Sequence, residues 1–258
     1  MLQKEKDGDQ PVSPHAITFS RQTGHKVTGL ARHDAAMNTS TGSATNDFAN
    51  PRPILDGVLA IGGLVIAGVR PEQLTDPTPC TGMDVRALLA HLIGALDRVA
   101  ALGNGDDPLA VTESRVDDDR WPRAWRQSAT RAAHAWNDDV VLEQPMALPW
   151  IEGSGAEVLA SYFSELIVHT WDLATATGQL PEWDDTVVAA ALEGARRILP
   201  AENRRALYEQ VSAARGFDEV AVPFAEAVPI AGDAPAIDRL VAWCGRDPGW
   251  GSRAVMAQ

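Results

Sequence analysis

The sequence is short of positive charge: 22 lysines and arginines stand against 35 acidic residues, giving a formal net charge of −13 and a pI near 4.8. Nucleic acid and anionic membrane surfaces both call for clustered Lys and Arg, so neither is expected as a partner. The first 48 residues carry five basic and five acidic side chains, which puts the whole acidic surplus on residues 49–258. Cysteine is equally scarce. Cys80 and Cys244 are too few and too far apart for a disulfide framework, and neither sits in a CxxC pair, so a reducing cytoplasm is the expected setting. The N-terminus lacks an apolar stretch before a small-residue cleavage site, so no signal peptide is expected. The longest apolar run, PILDGVLAIGGLVIAGV, has 17 residues, encloses Asp56 and is broken by glycines. A bilayer span needs about 20 apolar residues, so the run reads as a buried or amphipathic first helix.

What is present is helical periodicity. Residues 1–48, rich in Gln, Ser, Thr, Gly, Asn and Asp, show none and are expected to form a disordered tail, with Met37 a candidate start and His15, His25 and His33 solvated. Beyond them the first helix is expected over about 53–69. A second opens at the capping-box spacing of Thr81 and Asp84 and aligns Val85, Leu88, Leu89, Leu92, Leu96 and Val99 on one stripe. A third covers about 120–138, where the spacing of Trp121, Trp125 and Trp136 suits a core. The stretch VVLEQPMALPWIEGS crosses over as a loop or small hairpin. Ser154 and Glu157 then form a second capping box before a long helix that Gly178 and Pro181 close. DDTVVAAALEGARRIL and AENRRALYEQVSAAR supply two more helices, ahead of PAIDRLVAWCGRDPGW. Without an internal repeat or a strand series, the fold class is all-α: a helical bundle over residues 49–258.

One helix spends polar residues where burial is expected. On the stretch 155–177, Val158, Ser161, Tyr162, Glu165, His169, Asp172 and Ala176 share a face, and apolar residues cover most of the rest. A buried carboxylate needs a cation or a donor. Two explanations stand open: an internal hydrogen-bond network, or a metal ion. His91, flanking the apolar stripe of the second helix, could join Glu165 and His169 as a third ligand, a set that suits Zn²⁺ and leaves a coordination position open. Asp172 would either orient a ligand from outside the metal or pair with an arginine such as Arg86, Arg98 or Arg131. Tyr162 could donate a hydrogen bond near the site or simply pack. Cys80 has no visible activating base, and with Cys244 and His134 it is expected to pack or lie at the surface.

TPCTGMDVRALLAHLIGALDRV, SELIVHTWDLATATGQLPEW and AIDRLVAWCGRDPGW resemble the DinB/YfiT-like bundles of the mycothiol-dependent maleylpyruvate isomerase superfamily over roughly residues 52–250. The resemblance implies a DinB-like four-helix bundle with a C-terminal helical extension, without the sterol-carrier-like domain of members that isomerise. It also implies a divalent metal, zinc first, held by His91, Glu165 and His169, with mycothiol as a candidate thiol cofactor. The activity implied is a thiol-dependent isomerisation or S-transfer on a small electrophile. A metal-stabilised binding or regulatory module without turnover is the alternative. Expected partners are a small-molecule substrate or thiol and, in any oligomer, a second copy forming a homodimer.

Overall fold

The structure is a computed structural model, described here for residues 50–112, 115–215 and 222–251. The tail expected over 1–48, with its histidines and Met37, lies outside the described residues. The chain runs α1 (Arg52–Ala67), α2 (Val85–Gly103), α3 (Trp121–Ala135), a short α4 (Asp139–Glu143), a hairpin of β1 (Pro145–Leu148) and β2 (Ile151–Ser154), α5 (Gly155–Ser161), α6 (Phe163–Thr177), α7 (Asp185–Ile198), α8 (Arg204–Arg215) and α9 (Ala236–Trp243). This is an all-α, DinB-like fold. Four helices close a ring: α1 packs on α3 and α6, and α2 packs on the same two. α7 lies across α6, α1 and α5, and α9 covers α7 and α6. Among the described residues no helix is long and apolar enough to cross a membrane.

The stripe of α2 explains its place, since Val85, Leu88, Leu89, Leu92, Leu96 and Val99 are all fully buried. Its start differs from the expected one. The cap is Asp84, whose Oδ1 accepts from the Ala87 N–H at 2.8 Å. Thr81 is too early because Asp84 still pairs antiparallel with Pro77, which holds the chain extended up to that residue. The Ser154/Glu157 capping box forms as expected, and the crossover is one turn of helix followed by the hairpin.

The long helix expected over 155–177 is broken at Tyr162. The Ser161 hydroxyl donates to the Val158 carbonyl at 2.7 Å, the acceptor that the Tyr162 N–H would use in a regular helix. That N–H turns instead to Leu159, three residues back, at 3.1 Å. Gly178, at φ 70°, ends α6 in the left-handed conformation that a β-carbon disfavours. The next side chain, Gln179, donates to the Val65 carbonyl at 3.0 Å and ties this end of α6 to α1.

Trp121, Trp125 and Trp136 are buried, as their spacing predicts. The Trp125 indole donates to the Leu59 carbonyl at 3.1 Å while its ring lies across Gly62 of α1, where a β-carbon would strike it. Gly62→Ala therefore overpacks the α1–α3 contact. It is expected to cost about 1–3 kcal/mol, read from the midpoint of chemical unfolding; an unchanged midpoint would show that the ring slides aside freely.

Candidate metal centre

The seam between α2 and α6 gathers the polar side chains. His91 comes from α2 and stands 3.3 Å, through Nε2, from Oε1 of Glu165 on α6. One turn further along α6, the His169 ring meets the His91 ring edge to face, with centroids 4.8 Å apart. The three predicted residues are thus neighbours. Arg98, two turns past His91 on α2, approaches the same Glu165 oxygen at 3.7 Å. His91, Glu165 and Arg98 keep side-chain exposures of 17%, 24% and 19%, so this flank touches solvent, whereas His169 and Asp172 are buried.

Asp172 pairs with an arginine and also meets His169. Arg246 grips its carboxylate in a fork, Nε to Oδ1 at 2.9 Å and Nη2 to Oδ2 at 3.1 Å. His169 Nδ1 meets Oδ2 at 3.0 Å. Because both oxygens already accept from the guanidinium, the imidazole must donate here, so Nδ1 carries the hydrogen and Nε2 keeps its lone pair. None of the three arginines suggested by the sequence serves. Arg86 pairs with Asp118 at 2.9 Å, Arg131 with Asp97 at 2.6 Å, and Arg98 faces Glu165.

Arg246 and Phe224 are the residues that sequence reasoning missed. Phe224 stacks on His169 at 6.2 Å and lies under the Arg246 guanidinium at 6.0 Å. Arg246 is aimed by the end of α9: Gly245, at φ 79°, takes the left-handed position, and the Arg246 N–H bonds back to the Val241 carbonyl at 2.8 Å. The Gly-Arg pair directly after AIDRLVAWC was the available signal.

Electrostatics follow from these contacts. Burial pushes the Glu165 carboxyl up, but the His91 hydrogen bond and the charges of Arg98, His91 and His169 outweigh it and hold the group at about 2. Burial lowers His169, with the Asp172 hydrogen bond opposing, so its imidazole is neutral near pH 7. Burial pushes the Cys80 thiol up to about 11 and the Cys244 thiol up to about 12, so neither is a ready nucleophile.

A different candidate set shares only His169 with the predicted one. Among the described residues, Cys80, His169 and Asp172 bring potential ligand atoms within 4.8 Å of one another. Asp172 already accepts from Arg246 and His169 on both oxygens, and a guanidinium at its side disfavours a cation there.

Fold and seam define a DinB-like helical bundle whose polar residues converge between two helices. Residues 60–174 match the family model described as the mycothiol maleylpyruvate isomerase N-terminal domain, the family whose motifs the sequence resembles. The segment contains His91, Glu165, His169 and Asp172. Two uncharacterized proteins of Mycobacterium tuberculosis, from strains CDC 1551 / Oshkosh and ATCC 25618 / H37Rv, are each 27% identical over 184 residues, which is 70% of this chain and 90% of theirs. No solved structure matches.

Arg246→Ala strands a buried carboxylate and is expected to cost about 3–5 kcal/mol in chemical unfolding; a loss below 1 kcal/mol would mean that water replaces the guanidinium. The depressed Glu165 carboxyl contributes stability that is complete above its ordinary value of 4.5 and is lost as pH falls through about 2. In metal-free buffer, unfolding midpoints of the wild type should drop over that window, and those of Glu165→Gln should drop less. Parallel profiles would remove Glu165 as the cause.

Proposed function

We propose that this bundle holds a divalent cation, zinc first, through His91, Glu165 and His169, and works in the cytoplasm as a thiol-dependent isomerase or S-transferase on a small electrophile. The observation that carries the reading is the Asp172–His169 hydrogen bond. It fixes the imidazole as the Nδ1–H tautomer, with Asp172 held by Arg246, and so leaves the Nε2 lone pair for a metal. This is the carboxylate–histidine arrangement that commonly orients a metal ligand. Two imidazoles and a carboxylate suit a borderline cation, and three protein ligands leave room for one from solution.

A zinc ion so held supplies Lewis acidity and favours the thiolate form of a bound thiol at neutral pH. The chain's own contributions are to hold the ion with His91, Glu165 and His169, to fix His169 through Asp172, and to admit a ligand on the flank where His91, Glu165 and Arg98 meet solvent. The name of the matched family supports mycothiol as the thiol. An acidic body supports a small molecule over nucleic acid as the partner. A metal-stapled module without turnover is the second reading. It is favoured by the clefts at Trp150 and Arg197 and at Leu59 and Trp125, neither of which is lined by His91, Glu165 or His169.

Metal content of protein purified without an affinity tag is the test. The wild type is expected to carry near-stoichiometric zinc or another divalent metal, His169→Ala and Glu165→Gln to lose it, and Cys80→Ala to keep it. Loss in Cys80→Ala with retention in Glu165→Gln would move the ion to the Cys80, His169 and Asp172 set. No metal in the wild type would leave the seam as an internal polar network. With metal established, conversion of an electrophile that depends on added thiol separates the enzyme from the module.

A further inference from the structure

Away from the seam, α7, α8 and α9 bring three arginines to one tryptophan. The Arg196 guanidinium of α7 lies 5.3 Å from the centre of the Trp243 ring, and the Arg204 guanidinium of α8 lies 5.6 Å from it. Arg239 stands one helical turn before Trp243 on the same face of α9. Among the described residues none of the three guanidiniums has a carboxylate partner, an exception in a chain of net charge −13. Arg204 is fully buried and held in place: its Nε donates to the Pro200 carbonyl at 2.6 Å and its Nη1 to the Ala225 carbonyl. Glu226 is the acid close by, but its Oε1 is committed to the backbone N–H of Arg204 at 2.8 Å. Three buried nitrogens are left with no partner: Nη2 of Arg204, Nε of Arg239 and Nε1 of Trp243. Guanidinium and indole nitrogens only donate, so what satisfies them is an acceptor, and beside three uncompensated cations that acceptor is an anion. The way in is open, since Arg196 is exposed and Trp243 and Arg239 are half-buried.

We propose that Arg196, Arg204, Arg239 and Trp243 form a binding site for a phosphate group, free or carried by a small molecule. All four residues lie beyond residue 174, where the match to the family model ends, and none of them belongs to the seam. Donors that arrive from three helices suit the several acceptor oxygens of a tetrahedral phosphate better than the two coplanar oxygens of a carboxylate. Arg204, already fixed by two carbonyls, presents Nη2 without reorganisation. Arg196, exposed and resting on the indole, closes on the anion from the solvent side.

The test is calorimetric titration of the full chain with inorganic phosphate at constant ionic strength, with glycerol phosphate as the carried form and succinate as the carboxylate control. Phosphate is expected to bind the wild type with a Kd of about 1 mM or below. Arg196→Gln and Arg239→Gln should each raise the Kd about tenfold, and Trp243→Phe, which keeps a ring and removes the N–H, about threefold. Without phosphate, Arg196→Gln removes one of several like charges, so its Tm is expected to equal or exceed the wild-type value, which a structural role would not give. With phosphate, the Tm of the wild type should rise and that of Arg196→Gln should rise less. Tighter binding of glycerol phosphate than of phosphate supports the site and assigns it to a carried group; equal or weaker binding supports it as a site for the free ion. No phosphate binding by the wild type, or equal affinity in all three variants, overturns the site. Succinate bound as tightly as phosphate, with the same dependence on Arg196, overturns the phosphate class. Zinc content of the variants is expected to match the wild type, so failure here leaves the proposed function standing.

Discussion

A carboxylate with no exposed surface sits at the centre of the molecule, and Arg246 is what makes it tolerable. Asp172 lies on α6, which packs against α1, α2, α5, α7 and α9, and desolvating its charge alone would cost several kcal/mol. The fork from Arg246 supplies a cation in the geometry that suits a carboxylate best. Much else hangs on this pair. It commits both Asp172 oxygens as acceptors, which decides the tautomer of His169. It draws the segment after α9 onto α6, and it closes over Phe224, which in turn stacks on the imidazole. Such pairs contribute little net stability over a well-packed apolar substitute. Here the pair's consequence is orientation: the ring of His169 is held through its Nδ1.

Local signals in the sequence disclosed most of the helices. The apolar stripe of α2, the Ser154/Glu157 box and the left-handed Gly178 are each written within a few residues, and the structure follows them. The neighbourhood of His91, Glu165 and His169 was half legible: the four-residue spacing on α6 is periodic, while the approach of α2 was suggested by the place of His91 beside its apolar stripe and then by family resemblance. What could not be read locally is what depends on distant partners. Arg246 reaches Asp172 across 74 positions, and no period announces such a contact. The start of α2 turned on a bridge between Pro77 and Asp84, and the break at Tyr162 on a hydroxyl competing for one carbonyl. In both, a single side-chain or strand contact overrode a pattern that was otherwise correctly helical.

The choice of cation is consistent throughout. No lysine follows Lys26, so every basic side chain of the described residues other than histidine is arginine. Arg52 uses this to hold the Trp136 carbonyl at 2.7 Å and Asp139 at 2.7 Å together. Arg86 spans both oxygens of Asp118, and Arg131 reaches Asp97 and Ser128 with one nitrogen. A lysine ammonium could replace the charge in these places but not the fixed, planar set of donors. In an acidic body, few cations are available, and several are used at more than one acceptor.

The left-handed turn at Gly245 bears on where this unit begins and ends. The segment that matches the family model, 60–174, contains every candidate ligand and Asp172 but stops well short of the turn that delivers Arg246. Sequence similarity therefore marks off a piece that is electrically unfinished. A gene fragment cut to those limits would encode the carboxylate without its counter-charge and the imidazole without the group that holds it. Cloning boundaries for this bundle, and any grafting of its seam onto another scaffold, have to follow the ion pair and not the alignment.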